Sequence, residues 1–204
     1  MIKHNQTIFY ILFFISTNLF GRVLPSDVVW NENETGYYTI KENSIVLVST
    51  RGKKDKIILT SSQVNNIKIE SFSFSQSKNK VLLFTESVKV WRYNTRGDYW
   101  VYDFNKNEMQ KLGREMSSSS LMFAKFSPNE NFVAYVSKEK SDSGTRNSST
   151  SVNIYLEDLE SRTIKKLTSS KGTKKLINGT FDWVYEEEFG CRDGFIFNDD
   201  GSKI

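Results

Sequence analysis

The chain has 204 residues, of which 38% are hydrophobic and 14% aromatic. That is enough for a domain with a sizeable core, and it excludes both a disordered tail and a membrane bundle. The net charge is +4, yet Lys and Arg are interleaved with Asp and Glu along the whole length, so no basic stripe marks a nucleic-acid partner.

Two scarce residue types narrow the chemistry further. Cys191 is the single cysteine, which rules out an internal disulfide and a cysteine metal cluster. His4 is the single histidine and lies in the N-terminal leader. A Ser-His-Asp or Cys-His hydrolase needs an imidazole in its folded domain, and residues 22–204 contain none. No cofactor or metal is expected.

In chain order, MIKHNQ and the apolar run at 8–20 come first. A basic start and a short apolar stretch read as a signal peptide over residues 1–21, because a spanning helix needs roughly twenty apolar residues. The expected location is therefore secreted, extracellular or periplasmic, with a membrane-held signal anchor as the alternative. Asn33, Asn147 and Asn178 each begin an Asn-x-Ser/Thr sequence.

Next come short alternating segments of β composition. IVLVSTRGKKDKIILT (45–60), YWVYDFNKNEMQKL (99–112) and NIYLEDLESRTIKKL (153–167) share one frame, with Asp103 and Asp158 each standing nine positions before a Leu. FSFSQSKNKVLLFTE (72–86) and FAKFSPNENFVAYVS (123–137) share another, and DGFIFNDDGSKI (193–204) begins a third copy of it. The two hairpin types alternate with a period of about 52 to 55 residues, or four antiparallel strands per period, which is the pattern of propeller blades. The fold class expected is all-β, a partial β-propeller of three to four blades across 22–204; a β-sandwich with evenly spaced strands is the competing architecture. SDSGTRNSSTS (141–151) reads as a loop.

One stretch breaks the pattern. In FDWVYEEEFGCRDGF (181–195), Asp182 is a good N-cap, WVYEEEF reads as a short helix and Gly190 as its stop. Trp183, Tyr185 and Phe189 are expected to bury this helix against the propeller and to fix the direction of Glu186, Glu187 and Glu188. Such a triplet is either a solvated charge run or a receptor for a compact cation. A peptide α-ammonium, with three donors, matches paired carboxylates; calcium is the rival, but the spaced ligands of an EF-type loop are missing.

The seven residues Asp182-Trp-Val-Tyr-Glu-Glu-Glu188 resemble the double-glutamate motif of the dipeptidyl peptidase IV family of serine peptidases. ESVKVWRYNTRGDYWVYDF (86–104) resembles the family segment in which Trp-Arg precedes an aromatic strand ending in Tyr-Asp. The resemblance implies that Glu187 and Glu188 grip the free amine of a peptide substrate and that Arg92 reaches toward the substrate carbonyl. It implies structural roles for Asp182, Trp183, Tyr185 and Glu186. It further implies removal of X-Pro or X-Ala dipeptides, and a homodimer of the full-length protein. The family's serine, aspartate and histidine belong to a hydrolase domain after the propeller; no Gly-x-Ser-x-Gly occurs here, so no catalytic residue is expected in this chain, which should be inactive alone. The alternative is a non-catalytic propeller that binds peptides or a protein partner.

Overall fold

The computed structural model describes residues 28–32, 35–90, 92–138, 151–169 and 176–204. The expected leader, Asn33, Asn147 and all but the last residue of the loop at 141–151 lie outside them. The described chain forms three four-stranded units and one short helix. The first is a sheet in the order β1 (Val29–Trp30), β2 (Gly36–Lys41), β3 (Ser44–Ser49) and β4 (Lys56–Leu59). Between β2 and β3, Glu42 and Asn43 both have positive φ, 48° and 58°, the backbone of a tight two-residue hairpin.

The second unit is the antiparallel meander β5 (Ser71–Phe74), β6 (Lys80–Val90), β7 (Tyr93–Asp103) and β8 (Glu108–Lys111). The third is β9 (Leu121–Phe126), β10 (Phe132–Lys138), β11 (Val152–Asp158) and β12 (Ile164–Lys166). A single pairing, Gly97 with Leu121, joins β7 to β9. These are blades of a partial β-propeller, as the repeat predicts.

The repeat has a visible chemical cause in its turns. After β5, Ser75 N–H donates to the Lys80 carbonyl at 2.9 Å and the Lys80 N–H returns to Ser75 Oγ at 3.1 Å. After β9, Ser127 and Phe132 make the same pair of bonds at 2.9 and 3.1 Å. Asn198 and Lys203 repeat it at 3.1 and 2.8 Å, so the third copy of this hairpin keeps its turn. The other hairpin type is held by an aspartate: Asp103 Oδ1 accepts from Asn105 and Lys106 N–H, and Asp158 Oδ1 accepts from Glu160 and Ser161 N–H, all within 2.8–3.0 Å.

β10 is buried on both faces, which explains its unbroken apolar run. Val133 and Tyr135 join Leu82, Val101, Leu112, Leu121 and Tyr155 in a core between the second and third meanders. Ala134 and Val136 point the other way, onto Met122, Ile154 and Phe195. Phe195 thus closes the far face of the third meander, and the chain that follows the helix is anchored there.

Candidate functional site: an arginine arm and a glutamate helix

β6 and β7 each run for 11 residues, whereas β5 and β8 have 4. Their distal halves therefore leave the sheet as a two-stranded arm with Arg92 at its tip. The arm starts at a register shift between Thr85 and Val88, where Glu86 takes φ 49°. Gly97 faces this bulge, and a Cβ there would lie 2.6 Å from the Thr85 carbonyl oxygen and 2.3 Å from the Phe84 ring. Glu70 fastens the bulge by accepting from the Ser87 N–H at 3.0 Å and from the Ser87 hydroxyl, while Asn94 Nδ2 donates to that hydroxyl oxygen at 2.9 Å.

The helical insertion is a closed lobe. Thr180 and Asp193 form an isolated antiparallel bridge, and Gly194 N–H donates to the Gly179 carbonyl at 3.0 Å. Gly179 has φ 74° and lies against Val136 and Ile154 so closely that a Cβ would sit 2.5 Å from Val136 Cγ2. Lys125 on β9 secures the returning strand by pairing with Asp193 and donating to the Phe195 carbonyl at 2.8 Å. Between these clamps stands α1, Trp183–Phe189. Asp182 Oδ1 accepts from Val184 and Tyr185 N–H at 2.9 and 3.2 Å, and Gly190 ends the helix at φ 66°.

The expectation that aromatics bury α1 is overturned. Trp183 is 67% and Phe189 70% exposed, and no residue of the helix is buried. Phe181, Tyr185 and Phe189 recur every fourth residue and so stack on one another, with ring centroids 5.7 and 5.6 Å apart, on a face turned to solvent. Spacing alone could not tell a buried stripe from a self-stacked one. The glutamates are aimed by the lobe's clamps and by the arm instead.

Glu187 lies two residues beyond Tyr185 and so points away from that ladder. Its Oε2 is 2.6 Å from Arg92 Nη1, and its side chain is only 14% exposed against 65% for Arg92. Its other oxygen, Oε1, is buried with no hydrogen-bond partner among the described residues. Glu186 is half-buried and Glu188 exposed. The structure therefore brings Arg92 and Glu187 together, sets Glu188 at the solvent edge, and leaves Glu187 Oε1 buried without a donor among the described residues. A buried carboxylate oxygen is ordinarily hydrogen-bonded. Among the described residues no group of three or more His, Cys, Asp or Glu has metal-binding geometry.

Two residues to which the sequence reading gives no role also meet here. Arg192 lays its guanidinium over Tyr93, with Cζ 3.6 Å from the ring centroid. A separate cleft of about 410 Å³, lined by Lys80, Asp103, Lys106, Glu130, Asp158 and Arg162 among others, lies at the opposite end of the strands and mixes charges of both signs.

The sequence model described as the dipeptidyl peptidase IV (DPP IV) N-terminal region matches residues 75–204, which take in the chain from β6 through the arm and the third meander to the helix and beyond. The chain belongs to this family. Dipeptidyl aminopeptidase B of Saccharomyces cerevisiae is 30% identical over 181 residues, covering 86% of this chain and 19% of that protein. A probable dipeptidyl-aminopeptidase B of Phaeosphaeria nodorum is 32% identical over 126 residues, 61% of this chain and 12% of that protein. The DPP IV-type chain thus spans about a fifth or less of the length of these relatives. Among solved structures, dipeptidyl peptidase 4 of Porphyromonas gingivalis aligns with a TM-score of 0.68 at 22% identity, covering 86% of this chain and 24% of that one, a likeness of fold.

Proposed function

We propose that this chain is the substrate-gating N-terminal portion of a secreted dipeptidyl peptidase, and that it receives the α-ammonium of a peptide on Glu187 and Glu188. The observation that carries this reading is the buried, unpartnered Oε1 of Glu187 beside an Oε2 already held by Arg92. A primary ammonium, mostly charged below about pH 8, supplies the missing donor, and its remaining N–H groups reach Glu188 and water. Arg92 then fixes the carboxylate plane and keeps part of its fork for the substrate carbonyl. Holding the amine at a set distance from a nucleophile lets an enzyme count residues from the N-terminus, so that binding far from the scissile bond aligns it. Cleavage after X-Pro or X-Ala is the activity proposed for the full-length gene product, and residues 1–21 are proposed to export it. N-terminal sequencing of the mature protein checks the latter, with retention of Met1 counting against it.

The deciding experiment compares the dipeptide Ala-Pro with N-acetyl-Ala-Pro in titrations of the full chain. Binding should require the free amine and should be lost when Glu187→Gln and Glu188→Gln are combined. Equal affinity for the two ligands, or an unaffected double variant, would remove the amine-receptor reading. The exposed Phe181–Tyr185–Phe189 ladder favours a second reading, a non-catalytic propeller that binds peptides or a protein partner. That reading predicts the same amine dependence but no release of dipeptides by the full-length product.

A further inference from the structure

We propose that Arg192 is a positioning residue for the amine site: by stacking on Tyr93 it sets the reach between the arm that carries Arg92 and the helix that carries Glu187. The proposal rests on the reading of Glu187 as an amine receptor.

The need for such a fastener follows from the elements themselves. Beyond the bulge, β6 and β7 pair only with each other, through Val88 with Arg96, Lys89 with Asn94 and Val90 with Tyr93. A two-stranded ribbon without a third strand is marginal in water. α1 has 7 residues, too few to hold a helix by backbone bonds alone. The ion pair between them does not suffice either, because the Arg92 side chain is 65% exposed and exposed pairs contribute little.

Arg192 is placed to make up the difference. It is next to Asp193, whose backbone closes the lobe against Thr180 and whose carboxylate meets Lys125. Tyr93 is next to Arg92. The stack at 3.6 Å therefore ties the tip of the arm to the clamped base of the lobe rather than to the short helix. Among the described residues Arg192 makes no salt bridge, so its guanidinium face is its structural commitment here. A planar guanidinium suits this best, because it packs flat on the ring as well as being attracted to it, whereas an ammonium on a flexible stem keeps the charge without the flat face.

The test uses the full chain with Ala-Pro and N-acetyl-Ala-Pro as probes. Arg192→Ala and Arg192→Lys should each weaken Ala-Pro binding about three- to tenfold, the size of a partly desolvated cation–π contact, while N-acetyl-Ala-Pro, which lacks the amine, should bind neither the wild type nor the variants. Tyr93→Phe should retain wild-type affinity, Tyr93→Leu should not, and Arg192→Ala with Tyr93→Leu should cost no more than either alone. Wild-type binding by Arg192→Ala, or full rescue by Arg192→Lys, overturns the proposal. Should the wild-type chain not distinguish the two probes, the amine reading fails by itself. Amide hydrogen exchange then decides the fastener: in Arg192→Ala, residues 92–95 should exchange faster while 99–103 do not change. Unchanged exchange at 92–95 overturns it.

Discussion

Adjacent glutamates in a run are chemically alike until the backbone sorts them. Here α1 turns Glu187 toward the arm and leaves Glu188 in solvent. The Oε1 atom of Glu187 is buried without a donor among the described residues, so an ammonium bonded there is shielded from bulk water and meets a carboxylate whose other oxygen pairs with Arg92. At Glu188 the same ammonium competes with bulk water. The two single variants should therefore differ: Glu187→Gln should weaken Ala-Pro binding by about 1.5–3 kcal/mol, the value of a charge-assisted hydrogen bond, and Glu188→Gln by less than about 1 kcal/mol, as for an exposed charge pair. Calorimetric titration of both variants checks the order. Equal losses would mean that the ligand draws both side chains in together, and a larger loss at Glu188 would place the amine at the outer residue.

At the scale of elements, the arm depends on a backbone distortion more than on any side chain. The strands β6 and β7 can leave the sheet because the shift at Thr85–Val88 bends one against the other, and Gly97 permits the approach. Gly97→Ala puts a methyl group into the Thr85 carbonyl, a contact that no flexible side chain can relieve. It should destabilise the chain by about 1–3 kcal/mol, read as a lowered denaturant midpoint at unchanged slope, and should reduce Ala-Pro affinity as well, since Arg92 lies beyond the bulge. A stable variant with wild-type affinity would show that the arm is not set by this approach. The same elements mark what the sequence reveals and what it does not. The hairpins of both types were legible because each turn has its own donor or acceptor residue, Ser or Asn in one and Asp in the other. The helix was legible from Asp182 and Gly190. The exposure of Tyr185 and Phe189 was not, because with Phe181 they form an i, i+4 aromatic series, which satisfies itself as readily as it fills a core. Nor was the contact of Arg192 with Tyr93, since residues 99 positions apart meet only through the lobe and the arm together.

Across the second and third meanders, two carboxylates do what the single strand pairing at Gly97 cannot. Glu157 on β11 is buried and accepts from the Gly113 N–H at 2.8 Å and the Tyr135 hydroxyl at 3.0 Å. Burial and this carboxylate push the Tyr135 phenol above its ordinary range. Glu130, in the turn between β9 and β10, reaches the turn after β5 and accepts from the Ser77 N–H and, at 2.7 Å, from the Ser77 hydroxyl. Burial opposes ionisation of Glu130, but the bonds from Ser77, with help from Ser75 and the Lys80 charge, outweigh it and hold the carboxyl below its ordinary value. A carboxyl depressed in the folded state adds stability that is fully present above its unfolded pKa, about 4.3, and that is lost as pH falls through the lower folded value. Comparing wild type with Glu130→Gln should therefore show a gap in thermal midpoint that is constant from neutral pH down to about 5, narrows below about 4.3, and closes once the wild-type carboxyl is protonated. A gap that persisted unchanged into that acid range would assign the effect to packing of the side chain, and a gap that widened toward acid would contradict the direction of the shift. Ser77→Ala should narrow the gap at neutral pH without abolishing it, because the Ser77 N–H remains to hold the carboxylate and with it the two neighbouring blades.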